Sequence, residues 1–243
     1  MSTVKYKNLF VSGCSFTFSG WPNHLVELAN IKNIFNFAMP GAGNYHIMSS
    51  VLYEIENIKL SPKDTLIIIM LSGFDRDDEI LDKRFLDNEY LKKFPHEQYY
   101  FDDKTCMGIS GGSDPTAEGN FEFAGHIRKV KSRESRAIEN FIYVSAIYNF
   151  LKVNGFDFVI TNHIDSHLPA RDHSFVIEEY LNKNLRNSFS NFIDYDLKNI
   201  YRHCLENDLL DNDDYHPSEN GHFSWTKKYL VPYINQKFNK KDF

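Results

Sequence analysis

The chain has 243 residues, 42% of them hydrophobic and 25% charged, a length and balance that allow one α/β domain with a sizeable core or two small domains. Its 27 Lys and Arg against 33 Asp and Glu leave a formal net charge of −6, which argues against a nucleic-acid partner, because neutralising phosphates needs clustered cations. The one basic stretch, Arg128, Lys129, Lys131, Arg133 and Arg136, reads as a solvated helix face, and no apolar run approaches the ~18 residues of a membrane-crossing helix.

In chain order, Leu9-Phe10-Val11-Ser12 is a short apolar run halted at Gly13. It predicts a buried parallel strand followed by a tight turn. Trp21, Leu25, Leu28 and Ala29 then share a helical face, Ile34 to Ala38 reads as a second strand, and about Tyr45 to Ile58 as a second helix. Thr65 to Leu71 is apolar without alternation, the mark of a central strand covered on both faces. From about Asp77 to Lys131 the chain is polar and irregular, an insertion suited to a lid or functional loop. A helix from about Ser135 to Asn154, capped by Gly155, precedes a fourth strand at Phe156 to Thr161. Ser174 to Asn187 reads as a helix and Phe192 to Tyr195 as a short fifth strand. The closing helix runs from Ser218 to about Phe238, with Pro232 as a kink. Strands alternating with helices predict one parallel sheet with helices on both faces.

The three cysteines, Cys14, Cys106 and Cys204, have neither metal-ligand spacing nor an even-numbered disulfide framework. With no apolar leader at the start of the sequence, free thiols in a cytoplasmic protein are the expectation. The high aromatic share, 15%, fits core filling more readily than a carbohydrate-contacting surface.

Two constellations carry chemistry. Gly13-Cys14-Ser15-Phe16-Thr17 sits where the first strand turns into a helix, at the carboxyl edge of the sheet where open α/β folds bind ligands. Helix-start N–H groups there face any developing oxyanion. A helix N-cap is the plainer role for Ser15, and Cys14 is a second, weaker nucleophile candidate. Near the other end, Asp213-Asp214-Tyr215-His216-Pro217-Ser218 precedes the last helix, with Ser218 as its cap. A carboxylate three residues before an imidazole can hold its Nδ1–H and leave Nε2 to take a serine proton; Asp211 and Asp214 are alternatives to Asp213. His163 and His167 are four apart, a spacing that suits metal ligands on a helix, but they follow a strand without a third ligand and read as site-rim residues. No metal or other cofactor is expected, and no Gly-rich phosphate cradle is present.

With these blocks in order, the chain resembles the SGNH, or GDSL-like, hydrolases. Gly13-Cys14-Ser15-Phe16-Thr17 is similar to their first block, with Cys14 in place of the usual Asp. Asn36-Phe37-Ala38-Met39-Pro40-Gly41-Ala42-Gly43-Asn44 resembles the second, and Asp213-x-x-His216 the last. The resemblance implies a flavodoxin-like, three-layer α/β/α sandwich of about five parallel strands. It implies Ser15 as nucleophile, His216 as base, Asp213 as acid, and an oxyanion hole from the Ser15 and Gly41 N–H groups. The third block departs from the pattern: Leu71-Ser72-Gly73-Phe74-Asp75-Arg76 has Phe74 where the family places an Asn, so Asn44 or Arg76 is a substitute donor. The implied substrate is a small acyl ester, with O-acetyl groups on carbohydrate foremost. An O-acyltransferase and a non-catalytic binding protein that retains the fold are the alternatives.

Overall fold

The structure is a computed structural model and describes residues 5–73, 78–82, 98–100, 105–109, 133–163, 192–194, 196–211 and 216–238, with backbone alone for 78–82, 98–100, 105–109 and 133–137. Four strands, β1 (Asn8–Ser12), β2 (Asn33–Asn36), β3 (Thr65–Leu71) and β7 (Asp157–Asn162), form one sheet in the order β2-β1-β3-β7, parallel throughout. Every residue of β3 is buried, because its side chains alternate between two covered faces. Leu66, Ile68 and Met70 join Leu9 and Val11 on one face, packed by α2 (Trp21–Ala29), α5 (Ile200–Glu206), α6 (Glu219–Trp225) and α7 (Val231–Phe238). Ile67, Ile69 and Leu71 join Phe10 and Ile160 on the other, packed by α3 (Asn44–Ile58) and α4 (Arg133–Val153). The three-layer α/β/α architecture expected from the sequence is thus present.

The strand order places the functional edge. Chain connections leave β1 toward β2 on one side and β3 on the other. That reversal opens a crevice at the carboxyl ends of β1 and β3. Helix α1 (Ser15–Phe18) starts in this crevice.

Several elements differ from the sequence reading. Among the described residues the sheet has four strands, and Phe192 to Asp194 contributes a single rung beside β7: Asp194 N–H donates to Ile160 O at 2.7 Å, while the Asp194 carboxylate accepts Ile160 N–H at 2.9 Å. A side chain here replaces the carbonyl that a fifth strand would present. The insertion contains regular structure, an antiparallel sheet β4-β6-β5 of Asp78–Asp82, Thr105–Ile109 and Gln98–Tyr100. The expected helix at 174–187 lies outside the described residues. Gly155 ends α4 as expected, at φ 73°, with Phe156 N–H returning to Leu151 O at 3.0 Å. The closing helix carries a π segment, Thr226–Leu230, immediately before Pro232. Val231 N–H reaches back five residues to Thr226 O, and Pro232 has no N–H with which to continue an α ladder.

Candidate active site

Loops meet at the carboxyl edge of the sheet, and backbone pairing holds two of them together. Past the end of β2, Phe37 N–H donates to Val11 O at 2.9 Å and Met39 N–H to Gly13 O at 3.0 Å. The Pro40-Gly41 loop therefore runs beside the Gly13-Cys14-Ser15 turn. Gly13 itself admits no side chain: a Cβ would stand 2.2 Å from Thr17 Oγ1 and 3.1 Å from Met70 O. Below the turn, Ser12 Oγ lies 2.8 Å from Ser50 Oγ and donates to Ile47 O at 3.0 Å, fastening α3 under the loop.

This turn separates its two nucleophile candidates. Cys14 is fully buried in the core on the α2 face. Ser15, the first residue of α1, is half-buried and faces His216. His216 Nε2 lies 2.8 Å from Ser15 Oγ, across 201 residues of chain.

The loop that delivers His216 is anchored on both sides. Asp211 N–H donates to His216 O at 2.7 Å, Leu210 and Pro217 form an antiparallel bridge, and Ser218 N–H donates to Leu209 O at 2.8 Å. Ser218 caps α6, its Oγ accepting Gly221 N–H at 3.2 Å, as the sequence implied. Asp213, Phe74, Arg76 and His167 lie outside the described residues.

The Ser15 N–H belongs to the first residue of α1, and the Gly41 N–H to the loop that runs beside the Gly13 turn. Among the described residues, no backbone acceptor faces the N–H of Ser15 or of Gly41. Gly41 adopts φ 82°, a left-handed conformation that glycine takes without steric cost.

Asn44 plays a different part from the oxyanion donor considered above. Its Oδ1 accepts Ser72 N–H at 2.8 Å, and its Nδ2 donates to Ser72 O at 3.1 Å and to Asn140 Oδ1 at 2.6 Å. Both amide hydrogens are engaged, and the side chain is 1% exposed. Asn44 is therefore a clasp that copies a backbone rung and binds the loop after β3 to the start of α3.

Phe16, beside the pair, was given no such place by the sequence. It packs against both His216, at 4.8 Å between ring centroids, and His163, at 4.6 Å. His222, on α6, is buried with its ring against Gly20. Burial first, then the positive charges of His24 and His216, push its pKa down to about 4, so at neutral pH it adds no charge beside His216. Only its position one turn into the last helix hinted at burial. Among the described residues no group of three side chains is arranged to hold a metal ion.

The fold matches solved structures. The chain covers 91% of its length on a protein from Desulfitobacterium hafniense DCB-2 described as lipolytic and of the G-D-S-L family, over 96% of that chain, with a TM-score of 0.50 at 13% identity. It matches the psychrotrophic esterase EstA from Pseudoalteromonas sp., in a structure inhibited by monoethylphosphonate, over 94% of this chain and 99% of that one, with a TM-score of 0.50 at 10% identity. No family model matches the chain, and no curated protein sequence does. The architecture is the one these solved structures share, at identities that speak for the fold alone.

Proposed function

We propose that the protein is a serine hydrolase of the SGNH type that cleaves small acyl esters through an acyl-enzyme. The observation that carries this reading is the 2.8 Å approach of Ser15 Oγ to His216 Nε2 at the carboxyl edge of a parallel sheet. A free serine hydroxyl is a poor nucleophile at neutral pH, and an adjacent imidazole removes its proton as it attacks.

In the proposed reaction Ser15 Oγ adds to the ester carbonyl carbon while its proton passes to His216 Nε2. Asp213 is the residue assigned to accept the Nδ1–H and stabilise the imidazolium. Charge develops on the carbonyl oxygen, and the N–H groups of Ser15 and Gly41 receive it. The intermediate collapses as His216 returns the proton to the departing alkoxide. Water then attacks the acyl-Ser15 carbonyl with His216 as base, releasing the acid and restoring Ser15. Because Asn44 is engaged with Ser72 and Asn140, the hole rests on the two backbone donors, with Arg76 as a third candidate. The leading substrate class is an O-acetyl ester on a carbohydrate. A sugar hydroxyl in place of water makes the same site an O-acyltransferase.

A panel of short-chain nitrophenyl esters and acetylated sugars, run on wild type beside Ser15→Ala, tests the reading. Wild type hydrolyses members of the panel, and Ser15→Ala loses at least about 10⁴-fold in turnover. Equal rates in both proteins remove Ser15 from the chemistry.

A further inference from the structure

We infer that Phe16 and His163 form a positioning stack for the catalytic base, in which His163 fixes the Phe16 ring and Phe16 fixes the plane of the His216 imidazole. The inference rests on His216 being the base, as proposed above.

The stack is built from its rigid end. His163 follows the last residue of β7, and its N–H donates to Leu71 O at 3.2 Å, extending the β3–β7 pairing by one rung. Its Nδ1 lies 2.8 Å from the same oxygen. A carbonyl only accepts, so Nδ1 carries a proton and the tautomer and ring plane are set. The His163 carbonyl in turn accepts Tyr201 N–H at 3.1 Å, tying the residue to the first turn of α5. Held at backbone, ring and carbonyl, and 6% exposed, His163 is a fixed wall.

Phe16 lies on that wall. Its ring centroid is 4.6 Å from the His163 ring at an interplanar angle of 51°, with the edge of Tyr201 at 6.3 Å. It also meets His216, at 4.8 Å between centroids and 35°. These separations lie within the range of favourable aromatic contacts. Phe16 is also the neighbour of Ser15 on a one-turn helix, so one short element supplies the nucleophile and the surface against which the base is set.

The arrangement has two consequences for proton transfer. The His216 side chain has two rotatable bonds, and a ring packed on one face has fewer ways to carry its Nε2 away from Ser15 Oγ. Misplacing a reacting group by about 1 Å can cost on the order of 10²-fold. Once the Ser15 O–H bond breaks and the Nε2–H bond forms, the ring becomes a cation facing an aromatic surface, whose quadrupole attracts it. That attraction arises along the reaction and is absent in the resting enzyme, so it acts on turnover and leaves substrate binding alone.

The test compares Phe16→Leu, which keeps an apolar filling but removes the aromatic face, with His163→Asn, which keeps a donor for Leu71 O but removes the ring. Phe16→Met serves as the second filling should Phe16→Leu fail to fold. On a nitrophenyl acetate substrate, Phe16→Leu is expected to lower kcat about 10- to 100-fold with KM within about twofold. The rate of Ser15 modification by an organophosphorus reagent falls in parallel. His163→Asn loses less, and the double variant no more than Phe16→Leu, because the two residues act in series on one ring. A reading independent of turnover is the NMR signal of the His216 imidazole: one sharp set in wild type, broadened by exchange in Phe16→Leu, with the His203 ring unchanged. A folded Phe16→Leu with wild-type kcat and an unbroadened His216 signal overturns the inference, as does a double variant whose losses multiply. Wild type that neither turns over ester nor labels at Ser15 defeats the catalytic reading instead, and the His216 signal still decides the stack.

Discussion

Gly41 and Asn44 stand three residues apart in one loop, and their substitution separates chemistry from stability. Gly41 has φ 82°, so Gly41→Ala puts a Cβ into a left-handed backbone at a cost of roughly 1–2 kcal/mol, and any reorientation of its N–H subtracts an oxyanion donor. Its kcat is expected to fall about 10²- to 10³-fold while the melting temperature moves by only a few degrees. Asn44→Ala leaves the buried Ser72 N–H and C=O and the Asn140 carbonyl without the amide that satisfies them. It is expected to destabilise by about 2–4 kcal/mol, read in chemical denaturation. Ser15 and His216 were legible in sequence because each stands at a chain reversal, beside Gly13 or before Pro217, where a polar side chain has a reason to be exposed. Asn44 was not, since an Asn after a glycine loop reads as a spare donor until the partners of its amide are seen. The stacking of Phe16 on His163 was not either, although His163 read as a site-rim residue: the two are 147 positions apart, and only the sheet brings them together.

Among the elements, the junction of α2 with α6 carries the sharpest expectation. Gly20 has φ 88°, and a Cβ there would stand 2.4 Å from the His222 ring, which is itself buried. Gly20→Ala is expected to be among the most destabilising single changes, and paired with His222→Ala it should recover part of the loss, measured in a double-mutant cycle of melting temperatures. Hydrogen exchange supplies a second expectation. Amides of β3, wholly buried and paired on both sides, should exchange only through global unfolding, whereas those of the exposed edge strand β2 exchange sooner. The unbroken run Thr65 to Leu71 announced the centre of the sheet because nothing but two-sided cover explains seven successive buried residues. The antiparallel strands of the insertion gave no such sign, because their sequences do not alternate. Phe192-Ile193 looked like strand sequence, but Asp194 occupies the rung next to β7 with its carboxylate, a substitution that no hydrophobic pattern records.

For the molecule as a whole, buried neutral histidines set the acid limit of stability. Burial pushes His46 down to about 4 against a smaller upward pull from its bond to the Phe37 backbone, and His222 to about 4 as well. In the unfolded chain both return to about 6.5. Above pH 6.5 neither state binds the proton and stability is complete. As pH falls from 6.5 toward 4 the unfolded chain takes up protons that the folded one refuses, so stability declines with falling pH. The loss is on the order of 3 kcal/mol per histidine, and melting temperatures measured between pH 7.5 and pH 4.5 should drop accordingly. His46→Gln, if folded, should flatten that drop; an unchanged slope would show that other groups carry it. Two free thiols share the same protected interior. Cys14 and Cys204 are buried, and burial pushes the Cys204 thiol up to about 12, so neither should react with an alkylating reagent until the protein unfolds.

Covalent labelling reads the activation of Ser15 by His216 at the hydroxyl itself. Native protein is treated with an organophosphorus reagent at neutral pH, and the intact mass and the peptide containing Cys14-Ser15-Phe16 are read by mass spectrometry. A single adduct on Ser15 is expected, absent in His216→Ala, because a serine without its base is not activated. A folded wild-type protein that takes up no reagent, or takes it up equally with His216→Ala, contradicts that activation.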